Sequence, residues 1–103
     1  MAMASDQDIE DALYDVIDPE LNMNIVDLGL VYRTHVAEGN IAEVDFTLTY
    51  PGCPLGDSIA ADIVAQIKKQ TDVTEVRANI VWHPPWSHEM MSENARLLMG
   101  YPI

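Results

Sequence analysis

Apolar residues recur at Ile9, Ala12, Leu13, Val16 and Ile17, the spacing of one face of a helix, and predict a helix over residues 6–17. Ser5 is a suitable N-cap, and Asp6 and Asp8 suit the positive end of the helix dipole. Asp18-Pro19 should end the helix, because a residue before proline avoids the α region. Residues 20–29 mix apolar and acidic positions and read as a connection. Alternation over 30–36 and 41–50 predicts two strands, and Glu38-Gly39-Asn40 between them is a hairpin signal. In the second strand Val44, Phe46, Leu48 and Tyr50 share one face, and Asp45, Thr47 and Thr49 the other.

Pro51-Gly52-Cys53-Pro54 breaks that strand. A helix is expected from there to about Gln70, with Ile59, Ile63, Val64 and Ile67 on its buried face. A third strand over 73–82 alternates Val76, Ala78, Ile80 and Trp82 with Glu75, Arg77 and Asn79. His83-Pro84-Pro85-Trp86 stops it. Ser87 is the expected N-cap of a last helix with Met90, Met91, Ala95 and Leu98 as its stripe, ended by Gly100 and Pro102. The order helix-strand-strand-helix-strand-helix predicts one α+β domain over residues 1–103, a two-layer sandwich. The long crossover between strands two and three makes them parallel, so the three-stranded sheet is mixed.

Composition narrows the functions open to such a domain. Seventeen acidic residues face five basic ones, a net charge of −12. Such a surface repels phosphate backbones and anionic lipid, so neither nucleic acid nor membrane is an expected partner, whereas cations or basic proteins are. No apolar run approaches the roughly 20 residues of a membrane span. The first residues lack a basic start followed by an apolar stretch, which argues against a secretory signal and for the cytoplasm.

The one cysteine, Cys53, cannot close an intramolecular disulfide, nor hold by itself a cluster that typically takes four thiolates. Pro54 suits a first helical position, which would put Cys53 at the N-cap, where free N–H groups and the dipole stabilise a thiolate; a start capped by Gly56, Asp57 or Ser58 is the alternative. A buried, inert cysteine is the competing structural role. Asp18, Glu20 and Asp27 lie in turns beside apolar positions. Each can be a cap or turn residue, or a hard oxygen ligand near the thiol. Thr49 could hydrogen-bond a thiolate or sulfide, or simply favour a strand. His83 and His88 match no zinc spacing and read as surface or packing residues.

Five motifs in order, Asp18-Pro19-Glu20-Leu21, the run Asn24 to Tyr32, Thr47-Leu48-Thr49, Gly52-Cys53-Pro54-Leu55 and Trp82-His83-Pro84-Pro85-Trp86, resemble the metal–sulfur cluster biosynthesis family of SufT-like and PaaD-related proteins. The likeness runs from about residue 6 to 100. It implies an iron–sulfur cluster assembly or delivery factor rather than an enzyme, with Cys53 as its key residue and Asp18, Glu20, Asp27 and Thr49 at the other family-typical polar positions. A transient iron–sulfur cluster or iron would be held by Cys53, Thr49 and Asp27, with Asp18 and Glu20 as further metal ligands. Assembly proteins and client apo-proteins would be the partners, and a homodimer would pair two thiols. Where many SufT-like chains have Ser-Met-Gly-Cys-Pro, this one has Tyr50-Pro51-Gly52-Cys53-Pro54, and Pro51 removes one N–H donor near the sulfur.

Two functions compete on these residues. One is a carrier in which Cys53 ligates iron. The other is an adaptor that docks assembly factors or clients, with Cys53 structural and Trp82, Trp86, Met90, Met91 and Met99 forming either a contact surface or core. A thiol enzyme is a weaker third, since no general base is fixed beside Cys53. The antiparallel hairpin should bring the approach to strand one and the Cys53 turn to one sheet edge, with Asp27 and Cys53 in one depression, Thr49 beneath and Glu20 at the rim.

Overall fold

The computed structural model describes residues 4–100. Helix α1 (Asp6–Leu13) opens on a capping box in which Ser5 Oγ accepts the Asp8 N–H and Asp8 accepts the Ser5 N–H. It ends four residues before the expected boundary. Val16 is buried, but Ile17 turns outward and begins β1 (Ile17–Asp18), which pairs antiparallel with β2 (Met23–Asn24). Apolar spacing at 16 and 17 fits a helix or a strand. The choice falls to Asp18, whose Oδ1 accepts the N–H groups of Glu20 at 2.8 Å and Leu21 at 3.1 Å and so closes the β1–β2 turn. The segment expected as a plain connection therefore contains a small hairpin.

The main sheet has the order β3 (Val31–Ala37), β4 (Ile41–Phe46), β5 (Glu75–Ile80). β3 and β4 are antiparallel across the expected turn, in which Gly39 and Asn40 both take positive φ. β4 and β5 are parallel, joined through α2 (Gly56–Gln70). The mixed three-stranded sheet and the α+β class are as expected. The edge strands keep their polar face in water, where Arg33 and Arg77 bridge Glu43, Asp45 and Glu75. The other face carries Ala42, Val44, Phe46 and Leu48 under Ile9, Ala12 and Leu13 of α1 and Ile59, Ile63 and Ile67 of α2, all buried. Each large side chain so buried contributes roughly 1.5–3 kcal/mol.

The strands are shorter than the alternation suggested. β4 ends at Phe46, although Leu48 stays in the core. Tyr50, expected on the apolar face, is 44% exposed because the chain has left the ladder by then. Thr47, expected on the polar face, is buried, and its hydroxyl has no hydrogen-bond partner among the described residues. Val64 is only partly buried. On β5, Ile80 and, just beyond it, Trp82 are exposed rather than covered.

The C-terminal segment folds back on the start of β3. Gly29 has φ +77, and a Cβ there would lie 2.3 Å from the Met90 carbonyl oxygen, so this crossing demands glycine. The Asp27 carbonyl accepts the Ser92 N–H at 2.7 Å, the Leu28 carbonyl accepts Trp86 Nε1–H at 2.7 Å, and the Tyr32 hydroxyl donates to the Pro84 carbonyl at 2.8 Å. These tethers leave only a single 3-10 turn over His88–Met90, and Ser87 makes no side-chain cap. The helix cap is Ser92 instead, which accepts the Ala95 N–H and starts α3 (Glu93–Met99), closed by Gly100. Met91 and Ala95 are buried and Met99 and Trp86 pack against the core, while Met90 and Leu98 are exposed. The stop expected at Pro102 lies outside the described residues. No helix among the described residues is long and apolar enough to cross a membrane.

Candidate functional site

Cys53 lies where the sheet hands the chain to α2. The end of β4 is pinned on both sides: the Thr47 N–H donates to the Leu30 carbonyl and the Val81 N–H to the Phe46 carbonyl, both at 2.8 Å. The chain then turns, with the Cys53 N–H donating to the Tyr50 carbonyl at 3.4 Å. Gly52 in this turn has φ +86, a conformation that costs a side-chain-bearing residue free energy. The helix begins later than Pro54 would suggest. Leu55 is the N-cap, without a side-chain bond, and its carbonyl accepts the Ile59 N–H at 2.9 Å. Cys53 thus precedes the N-cap by two residues, because residues 50–53 are used by the turn. Gly56 sits where a Cβ would be 3.1 Å from Leu48 Cδ1 and 3.2 Å from Ile80 Cδ1, so the first turn of α2 lies close on the ends of β4 and β5. Cys53 itself is half-buried against the core and forms no disulfide.

Tyr50 is the neighbour that matters most for the thiol. Its phenol is held above the ordinary value of 10.0, first by the negative charge of Glu20, then by the charge of Cys53, burial, a side-chain hydrogen bond with Cys53, and the charge of Asp18. The phenol, the thiol and the carboxylates of the β1–β2 turn therefore feel one another's fields. The alternation in the sequence predicts Tyr50 on the core face, but the structure exposes it. The available signal was its position three residues before the cysteine, across a Pro-Gly turn.

The other expected site residues are placed as follows. Asp18 is buried, and Oδ1 of its carboxylate is committed to the Glu20 and Leu21 N–H groups. Glu20 is exposed at the tip of that turn. Thr49 is half-buried, and its hydroxyl makes no hydrogen bond among the described residues. The pairing of Val31 with Phe46, and of Leu30 with Thr47 beyond it, does bring the Asp27 approach and the Cys53 turn to one sheet edge. Asp27, however, is tied locally. Its Oδ2 accepts from Asn24 Nδ2 and its N–H donates to Asn24 Oδ1, both at 2.8 Å. Its charge is felt at Tyr14, beyond the end of α1, whose phenol is raised by burial first and then by Asp27, Glu10 and Asp11. His83 and His88 are exposed. Among the described residues no three His, Cys, Asp or Glu side chains converge closely enough to hold a metal ion.

Comparison with known proteins bears on this arrangement. The family model described as "Iron-sulfur cluster assembly protein" matches residues 6–78. The chain is 42% identical over 85 residues to an Fe-S protein maturation auxiliary factor, SufT, of Staphylococcus aureus, a match covering 82% of this chain and 97% of that protein. It is 37% identical over 100 residues to the Fe-S protein maturation auxiliary factor YitW of Bacillus subtilis, covering 97% and 98% of the two chains. Among solved structures, a crystal structure of a domain of unknown function from Bacillus anthracis superposes with a TM-score of 0.83 at 37% identity, covering 94% of this chain and 92% of that one.

Proposed function

The chain belongs to the iron–sulfur cluster assembly protein family, and we propose that it serves the maturation of iron–sulfur proteins, with Cys53 giving a thiolate to iron or to a cluster in transit. The observation that carries this reading is the setting of the chain's one thiol. It lies half-buried in a turn fixed between β4 and α2, beside the Tyr50 phenol, whose ionisation the charge of Cys53 opposes. A thiolate is the form that binds metal, and a fixed backbone holds it for capture without further ordering cost. The Tyr50 O–H can donate to that thiolate or to a bound sulfide. Glu20 and Thr49 add oxygen groups near the same turn, which suits iron, a metal that accepts both sulfur and oxygen.

One chain offers one thiol, and a cluster typically takes four. The remaining ligands would come from a second subunit's Cys53, a small thiol or the client, so cargo is held in passing rather than stored. Genetic rescue tests this reading. A strain lacking the gene receives either the native chain or Cys53→Ser, and the activity of an iron–sulfur dehydratase is read. Loss of rescue at unchanged thermal stability supports the ligand role. Full rescue by Cys53→Ser would instead favour an adaptor, a second reading supported by the exposed Ile80 and Trp82 at the same end of the sheet.

A further inference from the structure

A groove of about 440 Å³ runs between β1 and the outer face of α2. Ile17 and Pro19 form one wall, and Ile59, Ala61 and Ala65 form the floor and other wall, with Asp62 among them. The floor is low because the helix presents alanines one turn apart. Ile17, 44% exposed, contributes apolar surface left uncovered among the described residues. One end of the groove lies near the thiol turn, since Ser58, which also lines it, is in the first turn of α2, three residues after the Leu55 cap and five after Cys53.

Its electrostatic setting is one-sided. Among the described residues Glu20, Asp57 and Asp62 make no ion pair. Of the five basic residues, Arg33 and Arg77 are engaged on the open sheet face, Arg96 belongs to α3, and Lys68 and Lys69 lie at the far end of α2. Asp62, the charged residue of the lining, is six residues and so roughly 9 Å of helix rise from Lys68, about one Debye length at physiological salt, whereas Ala65 is within one turn of both lysines. The lysines therefore offset charge at the Ala65 end of the groove, and its acidic end is the Ser58 end, where Asp57 and Asp62 lie. As an occupant of this groove, a second copy of this chain, with a net charge of −12, is disfavoured against a basic segment.

We propose that this groove is a docking site for a client polypeptide segment in which lysine or arginine flanks small apolar residues and a cysteine, bringing the client's thiol to Cys53. The proposal rests on the reading of Cys53 as the transfer thiol, but its test does not. The probe is a fluorescein-labelled synthetic peptide with a cysteine between two pairs of lysines, set against the same peptide with glutamates for lysines. Anisotropy is read under reducing conditions at low and physiological salt. The lysine peptide should bind and the glutamate peptide should not. Ala61→Tyr, which fills the groove, and Asp62→Lys, which reverses its charge, should each weaken binding by about tenfold or more, a change of about 1.4 kcal/mol. Glu75→Lys, on the remote sheet face, should alter it less than about twofold. Cys53→Ser should bind the peptide as the native chain does. Absence of binding, or binding that Glu75→Lys weakens as much as the groove variants do, would overturn the docking site. Should Ala61→Tyr fail to fold by circular dichroism, Asp62→Lys decides. Peptide binding that survives while Cys53 proves unable to take up iron would sink the transfer role and leave the docking surface standing.

Discussion

Gly29 and Gly52 make a matched pair for testing how the C-terminal segment is locked to the site. Both have positive φ, +77 and +86, so replacement by alanine carries a backbone cost of about 1–2 kcal/mol at either position. Their surroundings differ. Around Gly52 nothing lies within 4 Å of an added Cβ, whereas at Gly29 that atom would meet Met90 oxygen at 2.3 Å, its carbonyl carbon at 2.7 Å and its Cβ at 2.8 Å. Two of these atoms are backbone, held by the bonds of Ser92 to Asp27 and of Trp86 to Leu28, so they yield only if the segment moves. Overpacking of this kind costs about 1–3 kcal/mol. Gly29→Ala should therefore destabilise by about 2–5 kcal/mol and Gly52→Ala by about 1–2. Urea unfolding followed by far-ultraviolet circular dichroism gives both values. At this chain length the larger loss corresponds to a fall in Tm of roughly 10 °C or more. Equal losses for the two variants would refute the close crossing at Gly29.

Other outcomes follow from the site. Asp18→Ala should cost about 1–3 kcal/mol by freeing the Glu20 and Leu21 N–H groups, and Asp18→Asn, which keeps an acceptor oxygen, distinctly less; a neutral Asp18→Ala in the same urea assay would rule out this role. Tyr50 should ionise above 10.0 in an ultraviolet titration, and Glu20→Gln should bring it back down, more than Asp18→Asn does; no response to Glu20→Gln would contradict the proximity of that carboxylate. Because the folded-state value is raised, the fold binds this proton more tightly, so the stability linked to Tyr50 is present below pH 10 and is lost as pH climbs through the folded value. Cys53→Ser should change the midpoint of thermal unfolding by only a few degrees, since the residue is half-buried and the substitution nearly isosteric; a large loss would mark the thiol as a packing residue.

Much of this fold was legible in the pattern of residues because local and global signals agreed. Ser5 with Asp8, the Glu38-Gly39-Asn40 turn and the Ile59, Ile63, Ile67 stripe each name their element without outside help. The misses arise where two local readings were equally good and a distant contact chose. Val16 and Ile17 fit a helix until Ile17 pairs with Asn24. The cap expected at Ser87 moves to Ser92 because the crossing at Gly29 and the Asp27 carbonyl hold the 3-10 turn and the residues that precede α3. The Gly-Cys-Pro turn singles out the thiol in the sequence, whereas the field of Glu20 and Asp18 at Tyr50 needs the β1–β2 turn that the spacing did not predict. Asp27 approaches the same end of the sheet as the Cys53 turn, but its bonds to Asn24 and its influence on Tyr14 could not be read from spacing. Tyr50 was misplaced because alternation was carried past the last ladder pair at Phe46.

Anaerobic reconstitution with ferrous iron and sulfide addresses the central claim most directly. The native chain and Cys53→Ala are compared after desalting, reading visible absorption together with bound iron and sulfide per chain. If Cys53 is the cargo ligand, the native chain develops sulfur-to-iron charge-transfer absorption with matching iron and sulfide, and Cys53→Ala, equally folded, does not. Equal absorption in both, or none in either, would contradict it.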